Sequence, residues 1–283
     1  MNNRNFRELL ESQWSRGNFV CVGLDSEYEK IPESVKKKAS GDAGAILDFN
    51  RAIVDATSDS VCAFKPNSAF YEALGDVGWR ALQNTIGYIH EVAPQVPVIL
   101  DVKRADIGNT NNGYATAAFE YFFADAVTVH PYLGAEALQP FLERADKGIF
   151  VLCRTSNPGA GEFQDLRISD WGYVGSPLYK HVARQVAEKW NKNGNCALVV
   201  GATYPDELRE VRGLVGDMPI LIPGIGAQGG DLEKTVSAGK DSRGQGMIIN
   251  SSRGIIFASK GADFAEAAHR ETLKLRDMIN QCR

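Results

Sequence analysis

Five charged side chains occupy or follow runs that are otherwise apolar. Asp25 closes FVCVGLD, Lys65 interrupts VCAFKPN, Asp101 and Lys103 interrupt VPVILDVK, and Asp106 follows three residues later. Charges embedded in such runs are costly to bury unless they are paired. Side chains two apart on a strand face the same way, so Asp101 and Lys103 are expected to project together. A lysine between the carboxylates of Asp101 and Asp106 stays protonated, because neighbouring negative charge raises its pKa. That makes Lys103 a poor Schiff-base nucleophile, a role that needs a neutral amine. It suits a developing carbanion, which an ammonium group stabilises and then protonates.

A second group of residues lies late in the chain. PGIGAQGG spans residues 223–230 and NSSRG spans residues 250–254. Glycines such as Gly229 let backbone N–H groups approach phosphate oxygens closely. Gln228 and Arg253 add side-chain donors, the arginine in a bidentate geometry. Together they point to a phosphate-ester ligand. Ser156 and Asn157, in TSNPGAG, either hydrogen-bond a polar ring or form a turn. His130, in HPYLG, reads as a core histidine. The chain has no Walker motif, no nucleophile elbow and no basic–aromatic stripe for nucleic acid.

The elements that must carry these residues follow from hydrophobic patterning. Eight Val/Ile/Leu-rich runs read as strands: 19–25, 61–67, 96–103, 126–132, 148–155, 196–202, 219–225 and 246–252. Their apolar residues are near-continuous, as in parallel strands covered on both faces. The intervening segments are mostly helix-like, most clearly 47–57, 79–93, 176–190 and 264–279. Eight strands alternating with helices predict an α/β fold, a single (β/α)8 TIM barrel over residues 1–283. An open doubly wound sheet is the rival, but the first strand leads into GLDSEYEK rather than GxGxxG. The barrel places all the charged residues at the C-terminal ends of strands, where barrel enzymes keep their active sites. The phosphate loops then follow strands seven and eight, the usual barrel position. Long connections at 26–46 and 156–175 are expected on the same rim.

Composition narrows the function classes. With 31 Lys+Arg against 35 Asp+Glu the net charge is −4, which argues against a broad nucleic-acid or anionic-membrane surface. No stretch approaches a membrane span, and residues 1–18 lack a signal-peptide core. Five scattered cysteines and four scattered histidines show no metal-ligand spacing, so no metal is expected. The cysteines read as small buried hydrophobes of a reducing, cytoplasmic compartment.

At these residues the sequence resembles orotidine 5′-phosphate decarboxylases, in particular the longer bacterial-type subgroup. FKPNSAFYEALG, ILDVKRADIGNT, DAVTVHPYLG, VLCRTSNPG, VVGAT, PGIGAQGG and NSSRGI occur in order over nearly the whole chain. The resemblance implies decarboxylation of orotidine 5′-monophosphate to uridine 5′-monophosphate in de novo pyrimidine biosynthesis, without a cofactor. It implies that Lys103 stabilises and protonates a carbon 6 carbanion, with Asp101 set against the substrate carboxylate. Lys65 and Asp25 match residues that bind ribose hydroxyls and complete the charge network. Ser156 matches a pyrimidine contact; Gln228 and Arg253 match phosphate contacts. Asp106 and Thr110 match residues that reach the partner's site in a homodimer. Asn67 and Ala105 depart from the commoner Gln and Gly of the subgroup, and neither removes a charged group. Two alternatives remain open from the residues alone. One is a metal-dependent sugar-phosphate decarboxylase or aldolase of the same superfamily. The other is a non-catalytic phosphate-ligand sensor.

Overall fold

The computed structural model describes residues 4–169, 174–225 and 231–283. Each of the eight apolar runs contains a strand. They are β1 Val20–Leu24, β2 Ala63–Pro66, β3 Ile99–Arg104, β4 Ala126–Val129, β5 Gly148–Arg154, β6 Cys196–Val200, β7 Ile220–Pro223 and β8 Met247–Ser251. Every pairing is parallel, in the order β2-β1-β8-β7-β6-β5-β4-β3. The ring closes between β2 and β3 through parallel bridges Phe64–Val98 and Asn67–Asp101. The result is the expected (β/α)8 barrel. β1, β2, β4, β6 and β8 are buried at every position, because the barrel interior fills one face and helices cover the other.

The longer helices are α1 Phe6–Ser15, α2 Gly41–Thr57, α3 Gly75–Val92, α4 Gly108–Thr116, α5 Gly134–Leu142, α6 Leu178–Gln185, α7 Pro205–Val215, α8 Leu232–Gly239 and α9 Phe264–Cys282. The helical reading of 176–190 becomes α6 followed by a π-helical turn, Val186–Trp190. Among the described residues, no helix is long and apolar enough to cross a membrane. All five cysteines are free and four are buried. Burial pushes the Cys153 and Cys196 thiols up to about 12, so they behave as apolar filler.

α1 lies across the N-terminal ends of the strands. Asn5 caps it by accepting from the Arg7 and Glu8 amides. Phe6, Leu10 and Trp14 repeat every four residues and all are buried. Phe6 packs edge-on against Phe150 at 5.5 Å, and Trp14 Nε1 donates to the Met247 carbonyl at 2.8 Å. Just ahead of the helix, the Arg4 guanidinium meets both carboxylate oxygens of Asp125 at 2.8 Å. Asp125 Oδ2 also accepts the Val98 amide at 2.8 Å, so one buried carboxylate ties α1 to the starts of β3 and β4.

Burial alone would raise the Asp125 pKa, but the Arg4 bonds and the nearby His90 override it and hold it at about 2. Because the folded value lies below that of an unfolded aspartate, the stabilisation is present above about pH 4 and is lost as pH falls through about 2. It is expected to be about 2 kcal/mol. Urea unfolding of Asp125→Asn should show lower stability at neutral pH and, between about pH 6 and pH 2, a pH dependence weaker than wild type by this amount. Identical pH dependence in both proteins would refute the role.

Candidate active site

The C-terminal ends of β1, β2 and β3 deliver four of the five charges to one place. Asp101 is the centre. Its Oδ2 accepts from Lys65 Nζ at 2.9 Å, and its Oδ1 accepts from Lys103 Nζ at 2.6 Å and from Thr128 Oγ1 at 2.8 Å. Asp25 Oδ1 stands 3.9 Å from Lys65 Nζ. Burial opposes the charge on both central partners, but mutual attraction wins. Asp101 is held well below the usual carboxylate range by Lys65 and Lys103. Lys65 is held above the usual lysine value by Asp101 and then Asp25. The two lysines differ in access: the Lys65 side chain is 5% exposed and that of Lys103 is 48% exposed. Lys65 is therefore a fixed counter-charge, and Lys103 is the cation open to the cavity.

Asp101 and Lys103 meet, though not through regular alternation. Leu100 pairs with Val127 and Arg104 with Val129, so β3 uses four steps where β4 uses two. Within this bulge Lys103 takes a left-handed backbone, φ 46°. That conformation costs a non-glycine residue roughly 1–2 kcal/mol. Thr128, on β4, fills the gap in the ladder. Its hydroxyl accepts the Lys103 amide at 2.9 Å while donating to Asp101. A bulge that re-aims a side chain beside a functional group is a recurrent use of this irregularity.

A cavity of about 290 Å³ lies over the cluster. Asp25, Lys65, Asp101, Lys103 and Thr128 line its charged side, and Leu152, Val199 and Leu221 its apolar side. Ser156 and Asn157 follow β5, Gly224 and Ile225 follow β7, and Ser252, Arg253 and Gly254 follow β8. Since β7 lies opposite β3 in an eight-stranded ring, the end of β7 faces the charge cluster across the mouth. Gly23 permits the β8 loop to close in: a Cβ there would come within 1.9 Å of Ser252 Oγ.

Buried polar groups hold the strand ends. Beneath Asp25, Ser26 Oγ donates to Asn50 Oδ1 at 2.6 Å, and Asn50 Nδ2 reaches Tyr71 at 2.9 Å and Thr85 at 3.1 Å. The Tyr71 hydroxyl donates onward to the Leu24 carbonyl at 3.1 Å. Asp106 and Thr110 are held differently. Neither lines the cavity, and Asp106 makes no ion pair with Lys103 among the described residues. The expectation of five converging charges is thus corrected to four: the chain turns away from the barrel after Arg104, and Thr110 is exposed on α4. Buried Asn111 fixes this segment by accepting the Asp106 amide at 3.0 Å and donating to the Asp106 and Ala137 carbonyls, both at 2.6 Å. Gln228 and Gly229 lie outside the described residues. Among the described residues, no three His, Cys, Asp or Glu side chains gather as a metal site would require.

Comparison with known proteins identifies the family. Residues 18–268 match the model of the "Orotidine 5′-phosphate decarboxylase / HUMPS family". The chain belongs to that family. An orotidine 5′-phosphate decarboxylase of Ralstonia pickettii is 52% identical over 279 residues, covering 98% of this chain and 99% of the relative. One from Cellvibrio japonicus is 48% identical, with the same coverage. The solved OMP decarboxylase of Leishmania donovani superposes with a TM-score of 0.83 at 37% identity, covering 98% of each chain. The UMP synthase of the same organism gives a TM-score of 0.86 at 39% identity, and this chain spans 56% of its length. Membership makes the chain an enzyme, a carboxy-lyase of the orotidine 5′-phosphate decarboxylase type.

Within this family fold, Asp25, Lys65, Asp101, Lys103, Ser156 and Arg253 all line the cavity, as the sequence reading expects. Asn67 lines it too, while its Oδ1 accepts the Ala69 amide. Thr128, Asn50 and Asn111 are absent from that reading. Their one signal is a polar residue set in an apolar run or against a helix, which on its own does not distinguish a support from a surface position. Thr128→Val removes the hydroxyl shared by Asp101 and Lys103 while conserving shape. Turnover is expected to fall by about 10- to 100-fold, the worth of a hydrogen bond to a charged group, with Thr128→Ser close to wild type. Steady-state kinetics of the two variants checks this, and equal kcat in both would refute it.

Proposed function

We infer that this chain converts orotidine 5′-monophosphate to uridine 5′-monophosphate and carbon dioxide, through a carbanion at carbon 6 that Lys103 stabilises and protonates. The observation that carries the reading is the Asp101 carboxylate bound to both Lys65 and Lys103, with Lys103 exposed to the cavity. The bond between carbon 6 and the carboxylate breaks, and its electron pair remains on carbon 6. The Lys103 ammonium stabilises that charge and then gives it a proton, and solvent restores the proton to the lysine. Lys65 need not move. It neutralises Asp101, so that a buried carboxylate can stand ionised beside the substrate carboxylate. Asp25 and Lys65 take the ribose hydroxyls. Ser156 takes the pyrimidine ring. Arg253, Gln228 and the Gly229 backbone take the phosphate. A ligand anchored at its phosphate, far from carbon 6, uses remote binding energy to hold the reacting centre against Asp101.

The reading extends to place and assembly. The continuous barrel supports one catalytic domain over residues 1–283, acting without a cofactor in de novo pyrimidine biosynthesis. Four buried, free cysteines fit a reducing cytoplasm. Asp106 and Thr110 lie outside their own chain's cavity on a segment pinned by Asn111, which fits a homodimer in which they complete the partner's site. Exposed Ile107, Tyr132 and Leu133 on the same side add apolar surface for that contact.

Two outcomes test the proposal. Lys103→Ala should lower turnover of the nucleotide by at least about 10³-fold in an ultraviolet assay while still binding the product. Near-normal turnover would remove the central claim. Asp106→Ala and Lys103→Ala, each inactive alone, should recover about a quarter of wild-type activity when mixed subunits exchange freely. Half of the dimers are then mixed, and each has one intact site. Verified mixed dimers without activity would exclude a shared site.

A further inference from the structure

We propose that Gln164, seated by Arg154, is the positioning residue that sets the cavity wall for the pyrimidine ring. The inference rests on the reading that this cavity holds the nucleotide. β5 ends at Arg154, and the next three residues, Thr155, Ser156 and Asn157, line the cavity. A segment so soon out of a strand has left its ladder partners, so its backbone needs another source of hydrogen bonds. Gln164 supplies it from nine residues away. Its Oε1 accepts the Thr155 amide at 2.8 Å, and its Nε2 donates to Thr155 Oγ1 at 2.9 Å. Thr155 Oγ1 in turn donates to Asn157 Oδ1 at 2.7 Å. One side-chain amide therefore grips the backbone amide and the hydroxyl of Thr155 and passes the constraint to Asn157.

Arg154 holds the amide in place. It is 3% exposed, an unusual depth for a guanidinium. Nη1 reaches Gln164 Oε1 at 3.3 Å and Nη2 reaches Asp165 Oδ2 at 3.2 Å. Its Cζ lies 4.0 Å from the Tyr204 ring centroid, a contact that further holds the side chain. The wall is also backed from β6. The Gly201 amide donates to the Arg154 carbonyl at 2.8 Å, and a Cβ at Gly201 would stand 2.8 Å from Ser156 Cβ. Gly201 thus leaves the room that lets Ser156 sit close against the end of β6, while Gln164 sets the residue before it. The Gln164 side chain lies behind the wall and outside the cavity lining, so its effect on a ligand passes through Thr155 to Asn157.

The wall faces the ring and not the phosphate, so the two halves of the ligand report separately. The probes are uridine 5′-monophosphate and ribose 5-phosphate, each measured as a competitive inhibitor. Gln164→Ala should weaken the nucleotide about tenfold or more while ribose 5-phosphate stays within about twofold. KM should rise more than kcat falls. Arg154→Met should act in the same direction, and Gln164→Glu, which keeps the acceptor for the Thr155 amide, should recover part of the loss. Equal weakening of both probes, or a kcat loss with KM unchanged, would overturn the role. Should Gln164→Ala fail to fold, Gln164→Glu and Thr155→Val are read by the same two probes. A wild-type chain that neither binds the nucleotide nor turns it over removes the nucleotide reading itself. A wild type that does both, with Gln164 variants unchanged, removes this inference alone.

Discussion

One buried carboxylate sets the terms for the rest of the molecule. Asp101 is ionised in a place where an isolated anion would be strongly disfavoured, and it is stable only because Lys65 and Lys103 each bind one of its oxygens. That condition needs the ends of β2 and β3 held to within hydrogen-bond tolerance. It explains why the ring is closed by the Asn67–Asp101 bridge at the level of the charges. It also explains why a strained Lys103 backbone is retained. The left-handed turn brings the ammonium back onto Asp101, and Thr128 compensates the ladder bonds that the bulge gives up.

The same principle repeats around the rim with different residues. Three strand ends that carry candidate functional groups, those of β1, β3 and β5, are supported from behind by buried or half-buried amides and hydroxyls. Asn50 and Tyr71 do this beneath Asp25, Thr128 beside Asp101, and Gln164 beside Thr155. Apolar packing resists compression but specifies orientation weakly, whereas a satisfied hydrogen-bond network fixes both distance and angle. The apolar layers make the barrel stable, and the polar supports aim it.

This division decides what was legible in the sequence. The strands were legible because parallel barrel strands are buried on both faces and read as unbroken Val/Ile/Leu runs. The charges were legible because Asp101 and Lys103 stand out within such a run. The bulge was not: alternation alone predicts that residues 101 and 103 share a face, which gave the right neighbours by the wrong backbone. The place of Asp106 just beyond β3, where the chain leaves the barrel, predicts that it joins the cluster, but Asn111 draws that segment to α5 through a contact no spacing rule anticipates. α4, GNTNNGYAT, lacks an apolar stripe for the same reason: its anchor is one buried asparagine. α1 is hard to read for a similar reason: Phe6, Leu10 and Trp14 have helical spacing, but this short stripe is set among polar residues.

α1 carries a consequence for traffic. Among the described residues, Phe6, Leu10 and Trp14 pack across the lower ends of the strands and cover the filled barrel interior from below. Among the described residues, the cavity over Asp101 is bordered at the opposite, C-terminal rim by the residues that follow β5, β7 and β8. A ligand that enters from this rim and a product that leaves by it share one route, and on a shared route arrival and departure exclude each other.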